Sequence, residues 1–325
     1  MDFKEGVVTR VDGKRCQIHY GENTFHAYIP YKVIGVDPKT SKPLCVGDRV
    51  LFIEDEADET IVKELLPRTT KLSRRAIGAV KKEQIVASNI DQLLIVTAVY
   101  HPPFHPGIVD RFIIAAIKGD LEPVICINKQ DLLEKDKNKE RIKKVIVTYK
   151  ELGYKVVCTS IKTGEGLEEL KSVLQNKTTA LAGHSGVGKS SLLLTIDPNL
   201  NLKLVTKKVS RKSRRGQHAT TSVTLNPLCV GGYVVDTPGI RELNLWETSV
   251  AEVTSYYPEI AELAQQCRYR GCTHTHEPFC AVKEAVQNGE IEAFRYDSYY
   301  NVIDSIENAS MSSRPVAFPH KEKPF

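Results

Sequence analysis

Gly183-His184-Ser185-Gly186-Val187-Gly188-Lys189-Ser190 satisfies the pattern G-x-x-x-x-G-K-S in full. It follows a strand-like stretch, residues 178–182, and precedes the helix-like Ser191-Leu192-Leu193-Leu194. This is the setting a phosphate loop requires. Its glycines turn backbone N–H groups toward phosphate oxygens, and the helix adds its positive end. Lys189 is then expected to reach the β- and γ-phosphates and Ser190 to ligate magnesium, with Ser191 completing the phosphate site. Upstream, Asn128-Lys129-Gln130-Asp131 follows a second apolar run. A carboxylate at Asp131 can accept hydrogens from guanine N1 and N2. Adenine lacks those donors and would leave it unpaired. Ser160-Ile161-Lys162 closes the next strand, where a contact to guanine O6 belongs. Downstream, Asp236-Thr237-Pro238-Gly239 offers a carboxylate for the magnesium shell and the Gly239 N–H for the γ-phosphate. Every part of a GTP site is present, yet the base-reading motif comes before the phosphate loop. In an ordinary P-loop GTPase it comes after. The order predicts a circularly permuted G domain.

Between the loop and Asp236 lies Gly216-Gln217-His218-Ala219-Thr220-Thr221, where switch I belongs. Thr220 is the expected magnesium ligand, and Thr221 stays open as the alternative. The residue after Gly239 is Ile240, which cannot orient water as a glutamine does in Ras-like enzymes. His218 is the nearest polar candidate for that catalytic task, beside Lys189. Between Lys203 and Arg215, seven of thirteen residues are Lys or Arg. Such a run suits either a solvated loop or phosphate contacts on RNA.

Cys267-x4-Cys272-x-His274-x5-Cys280 gathers three thiols and an imidazole within a short stretch. Four such ligands match a closed structural zinc site, because a catalytic site keeps an open position. His276 is the second choice for the nitrogen ligand. The remaining cysteines, Cys16, Cys45, Cys126, Cys158 and Cys229, are scattered singly and read as small buried hydrophobes.

The 325 residues are 41% hydrophobic and 26% charged, with a net charge of +5, as in a globular chain of two or three domains. No apolar run approaches the roughly 18 residues that span a bilayer, and the charged start Met1-Asp2-Phe3-Lys4-Glu5 lacks a signal core. A cytoplasmic location without a membrane partner is expected. Three parts follow along the chain. Residues 1–68 show about five short strands, at 7–11, 16–20, 25–29, 46–52 and 60–65, which suit an OB-type barrel and nearly as well an SH3-like one. Residues 69–246 alternate buried strands with helices, the texture of a doubly wound parallel sheet. They begin with a basic stretch, 67–90, that reads as a linker. Residues 247–325 are helical around the Cys/His cluster, with a polar tail from Ser310 expected to be disordered.

With this motif order and ligand spacing, the chain closely resembles the RsgA (YjeQ/YloQ) family of bacterial small ribosomal subunit biogenesis GTPases. The resemblance spans essentially the whole length. It implies GTP hydrolysis to GDP and phosphate stimulated by the 30S subunit, contact with 16S ribosomal RNA, and a role in late 30S maturation. It also implies magnesium with GTP and one structural zinc, and a monomer is expected. The family usually reads G-R-H-T-T in switch I, and Gly216-Gln217-His218-Ala219-Thr220 departs from it.

Overall fold

The alternation around Cys16 and Ile18 builds a strand whose apolar side chains fill a barrel. The computed structural model describes residues 2–30, 44–54, 59–75, 83–200, 223–236 and 248–312. The chain divides into two units, 1–246 and 247–325. In the first, strands β1 (Lys4–Asp12), β2 (Arg15–Tyr20), β3 (Asn23–Tyr28), β4 (Arg49–Glu54) and β5 (Thr60–Leu65) pair in the order β1-β2-β3-β5-β4, and β4 returns to β1. Only the β3–β5 pair in this ring is parallel. A five-stranded ring of this kind is the OB arrangement. Val8, Cys16, Ile18, Val50, Phe52 and Val62 fill it. Tyr20, at the end of β2, is 41% exposed and packs edge-on against Phe52.

The fourth strand starts later than the hydropathy pattern predicts. Val46 makes an isolated bridge to Ala87, and the turn at Gly47 and Asp48 separates it from β4. The reason is the buried Asp48 carboxylate. It accepts from the Cys45 amide at 2.8 Å, Ser88 Oγ at 2.6 Å and Arg68 Nε at 2.6 Å. Arg68 and Ser88 lie near the two ends of the stretch read as a basic linker. Its described residues form instead an antiparallel hairpin, β6 (Lys71–Arg75) with β7 (Glu83–Ser88). Leu72, Ile85 and Ala87 are buried in it, and interspersed charges hide that pattern in the sequence.

Strands β8 (Gln92–Ala98), β9 (Glu122–Asn128), β10 (Lys155–Thr159), β11 (Lys177–Ala182), β12 (Thr224–Pro227) and β13 (Gly232–Asp236) form a sheet ordered β10-β9-β8-β11-β13-β12. All are parallel except β12, which the sequence reading missed. Among the described residues, the pair Arg10 with Thr224 joins this sheet to the barrel. Central strands are buried on both faces, which is why Leu93 to Val96 is an unbroken apolar run. Helices α1 (Pro106–Lys118) and α2 (Lys139–Glu151) bury one stripe each, Val109, Phe112, Ile113 and Ala116 on the first. Helices α3 (Leu167–Leu174) and α4 (Lys189–Ile196) pack Leu170, Leu174, Leu192 and Leu193 into a core with Leu94, Val96 and Val124.

Connections run from β8 outward to β10 and then cross back to β11 on the other side of β8. That reversal is a topological switch point, where open α/β sheets bind ligands beyond the carboxyl ends of their strands. Rotating the order of motifs along the chain leaves the phosphate-loop strand central.

The second unit has α5 (Val250–Ser255), α6 (Pro258–Ala264), α7 (Ala281–Asn288) and α8 (Ala293–Ser312). Ser249 and Glu252 form a reciprocal capping box at α5. Arg295 is buried, pairs with Glu259 at 2.6 Å and lies 4.4 Å from the Tyr257 ring centre. Helix α8 runs through Ser310, against the expectation of a disordered tail from that residue. Residues 313–325 lie outside the described ones. Cys16, Cys45 and Cys126 are buried as expected, and burial pushes the thiols of Cys16 and Cys126 up to about 12. Cys158 is only half-buried and Cys229 is exposed, because Cys229 sits in the turn between β12 and β13. Among the described residues, no helix is long and apolar enough to cross a membrane.

Candidate functional site

Asn128, Ser160, Gly183 and Asp236 each end or follow a parallel strand, β9, β10, β11 and β13 respectively, so they meet at one edge of the sheet. The phosphate loop follows β11 and delivers Lys189 to the first turn of α4. Its glycines are required by geometry. Gly183 has φ +131, and a Cβ there would lie 2.0 Å from the Val96 carbonyl oxygen. Gly188 has φ +100, and a Cβ would lie 2.4 Å from Asn128 Nδ2. Only glycine fits both positions. His184, Ser185 and Gly186 are exposed, whereas Val187 anchors the loop in the core. Lys189 Nζ donates to the Gly183 carbonyl at 2.7 Å and the His184 carbonyl at 2.9 Å, which holds the ammonium across the loop. Ser190 is half-buried beside it and Ser191 is exposed.

The guanine motif is bonded directly to this loop. The buried Asn128 donates from Nδ2 to the Val187 carbonyl at 2.9 Å, and its Oδ1 accepts from Thr159 Oγ1 at 3.2 Å. Lys129, left-handed at φ +65, donates from Nζ to the Gly186 carbonyl at 2.8 Å and to the His101 carbonyl. Asp131, in a 3-10 turn spanning Gln130–Lys135, accepts from Ser160 Oγ at 2.8 Å, and the exposed Lys162 ammonium stands 4.0 Å from its other oxygen. Ile161 packs against the core below. Asn128, Lys129, Asp131, Ser160, Ile161 and Lys162 therefore converge with the loop residues. Thr159 and the His101 carbonyl were missed by sequence reasoning. A threonine ending an otherwise apolar strand was the available signal for the first.

A cavity of about 350 Å³ borders the loop on the α1 side. Its mostly apolar lining includes Pro102, Ile108, Phe112 and the loop residues Gly183, His184 and Val187, but neither Lys189 nor Asp131. His218, Thr220, Thr221, Gly239, Ile240, the basic residues 203–215 and the side chain of Asp236 lie outside the described residues.

In the second unit the donor atoms of Cys267, Cys272, His274 and Cys280 lie within 4.8 Å of one another. Tetrahedral zinc with Zn–S near 2.3 Å requires sulfurs about 3.8 Å apart. Cys267 Sγ and Cys280 Sγ are 3.8 Å apart, and His274 Nδ1 is 3.5 Å and 3.4 Å from them. The residues fit zinc. The nitrogen within the cluster is that of His274, whereas His276 is exposed and bonds Thr275 Oγ1. Burial pushes the Cys272 thiol up to about 12 and the imidazole of His274 down. Supporting bonds surround it. Tyr296 Oη donates to the His274 carbonyl at 2.7 Å and Tyr299 Oη to the Thr273 carbonyl at 2.9 Å. Burial opposes the Glu277 carboxylate, but the Thr273 amide and hydroxyl, both at 2.7 Å, hold its pKa down to about 2.

Comparison with known proteins agrees with this arrangement. The sequence profile described as RsgA GTPase matches residues 65–246, more than half of the chain. A small ribosomal subunit biogenesis GTPase RsgA from Gemmatimonas aurantiaca is 41% identical over 269 residues, 82% of this chain and 86% of that one. One from Bacillus cereus is 39% identical over 273 residues, covering 84% and 88%. Among solved structures, YjeQ from Thermotoga maritima superposes with a TM-score of 0.74 at 32% identity, covering 97% of this chain and all of that one. YloQ, a circularly permuted GTPase, gives 0.69 at 29% identity, covering 94% and 96%. On these matches, and with the phosphate loop and guanine motif bonded in rotated order, the chain belongs to the RsgA GTPase family.

Proposed function

We propose that this chain hydrolyses GTP to GDP and phosphate in the late maturation of the small ribosomal subunit, binding the 30S particle and its 16S RNA. The observation that carries the nucleotide reading is the pair of bonds from Asn128 and Lys129 to the phosphate-loop carbonyls of Val187 and Gly186. They fix the base-reading carboxylate at a set span from the phosphate cradle, so one ligand must satisfy both. The ribosomal reading is supported by the relatives named above. The chain acts as a monomer in the cytoplasm, with its working parts at 1–68, 69–246 and 247–325.

Roles follow from chemistry. Asp131 takes the guanine N1 and N2 hydrogens, steadied by Ser160 Oγ. Backbone N–H groups of Gly183 to Ser191 take the phosphate oxygens. Lys189 exchanges its carbonyl partners for the β- and γ-phosphates. Magnesium, held by Ser190, Thr220 and, through water, Asp236, would neutralise charge on the leaving phosphate. The Gly239 N–H senses the γ-phosphate. Water attacks the γ-phosphorus and the bridging P–O bond breaks. Ile240 gives that water no hydrogen bond from its side chain, so His218 is assigned its orientation. The four ligands of the Cys/His cluster hold one structural zinc.

Asp131→Asn is expected to weaken GTP binding by about 1–3 kcal/mol, because the guanine donors lose a charged acceptor. Preference should tilt toward xanthine nucleotides, whose C2 oxygen suits an amide donor. Titration with both nucleotides checks this, and unchanged GTP affinity would remove the guanine assignment. The ribosomal reading is tested by GTP turnover with added 30S, 50S or 70S particles. Stimulation by 30S, with tighter 30S binding in a non-hydrolysable GTP analogue than in GDP, is the expected result. Linkage then requires 30S to tighten GTP binding by the same factor. Equal turnover with and without 30S would overturn it.

A further inference from the structure

Phe279 precedes the zinc ligand Cys280 and is 69% exposed, with a backbone φ of +55. The left-handed region is unfavourable for a bulky L-residue and free for glycine. The ring therefore occupies a costly position without burying itself. It is not an isolated surface hydrophobe of the ordinary kind. The Arg268 guanidinium carbon lies 4.9 Å from the Phe279 ring centre and 5.9 Å from that of Tyr269, itself 44% exposed. Arg268 and Arg270 are both exposed. The acidic residue of the same loop, Glu277, is spent on the amides of Thr273 and Thr275. Beside the exposed imidazole of His276, this knuckle turns outward the rings of Tyr269 and Phe279 and two guanidinium groups.

We propose that Arg268, Tyr269, Arg270 and Phe279 form a stacking platform for unpaired RNA nucleotides. Every base has a π-face that stacks on an aromatic ring or a guanidinium plane, and arginine also pairs with phosphate. A platform of rings flanked by arginines offers both contacts without reading sequence. Aromatic and arginine side chains also serve protein–protein contacts, so a protein partner is one outcome of the test. The Cys267, Cys272, His274 and Cys280 cluster anchors both ends of the loop, so the rings need little ordering on binding. The proposal deepens the ribosomal reading and rests on it for the source of the RNA. Its own test uses free RNA.

The experiment measures binding of the full-length, zinc-containing protein to a labelled unstructured oligouridine and to an RNA duplex of equal length. Phe279→Gly removes the ring and relieves the left-handed backbone, so the fold and zinc content should be kept. Its affinity for oligouridine is expected to fall about tenfold, the scale of one lost stacking contact. Duplex binding and GTP turnover without particles should not change. Arg268→Ala should give a similar loss, and Phe279→Trp should restore binding with quenching of the new indole. Unchanged oligouridine affinity in both Phe279→Gly and Arg268→Ala would overturn the proposal. So would weaker binding to 30S particles with unchanged binding to oligouridine, which would mark the knuckle as a protein contact. If oligouridine binding falls as expected but wild-type turnover ignores 30S, the platform stands and the ribosomal reading fails.

Discussion

Replacing Cys272 with serine is expected to release zinc and unfold the Cys267–Cys280 loop, with loss of cooperative melting in the 248–312 unit. The hydroxyl is a poor metal ligand at neutral pH, and three remaining donors leave the tetrahedron open. Structural zinc binding in small domains amounts to about 10–16 kcal/mol and is itself folding energy. Among the described residues of this unit, no other single contact approaches that figure. The buried Arg295–Glu259 pair and the Tyr257, Ile260 and Tyr299 core remain, but they are a modest core. The coupling to α8 is direct, because Tyr296 and Tyr299 donate to carbonyls of the loop itself. When the loop unfolds, Tyr296 loses its carbonyl partner and Tyr299 keeps only Thr254 Oγ1. Metal binding must displace protons from thiols that burial pushes up, to about 12 at Cys272, so zinc retention should also fall as pH drops. Metal analysis should find about one zinc per wild-type chain. Limited proteolysis should cut the variant within 267–280. A variant that keeps protease resistance and melting temperature without metal would show that zinc does not hold this unit.

The features legible in the sequence are those whose chemistry is local. Gly183 to Ser190 announces a phosphate loop because its glycines take φ values of +131, +85 and +100, backbone that only glycine adopts freely. The Cys267–Cys280 spacing is local in the same sense, and the apolar run at Leu93 to Val96 reports a central strand by itself. Partners distant in sequence were invisible. Asp48, Arg68 and Ser88 are ordinary polar residues until the barrel and the β6–β7 hairpin bring them together, and their union turns a supposed linker into packed structure. Thr159 meets Asn128 only because β9 and β10 are neighbours. The short β12 offers too few residues to show a period. Phe279 reads as one more hydrophobe, since no composition or periodicity reports a positive φ.

Lys189→Ala is expected to lower GTP turnover by about 100- to 1,000-fold or more, the scale of losing one preorganised charge at a developing anion. The argument begins with where the ammonium sits. Its bonds to the Gly183 and His184 carbonyls keep it over the loop mouth, at the amino end of α4. Two influences there favour anions, the helix dipole and the loop N–H groups, but neither carries a full positive charge. As the bridging P–O bond breaks, charge shifts toward the β-phosphate, and Lys189 is the described group that follows it. Truncation should spare the fold, because Val187, Leu192 and Leu193 anchor the loop and helix in the core. Lys189→Arg tests geometry against charge. The planar guanidinium is larger and cannot repeat both carbonyl bonds in the space between Gly183 and His184, so it should recover little turnover. Single-turnover hydrolysis at saturating GTP, beside a nucleotide-binding titration, separates the chemical step from affinity. Wild-type turnover in Lys189→Ala would mean that the loop binds phosphate without serving catalysis, and the chemistry would have to be sought outside the 183–191 cradle.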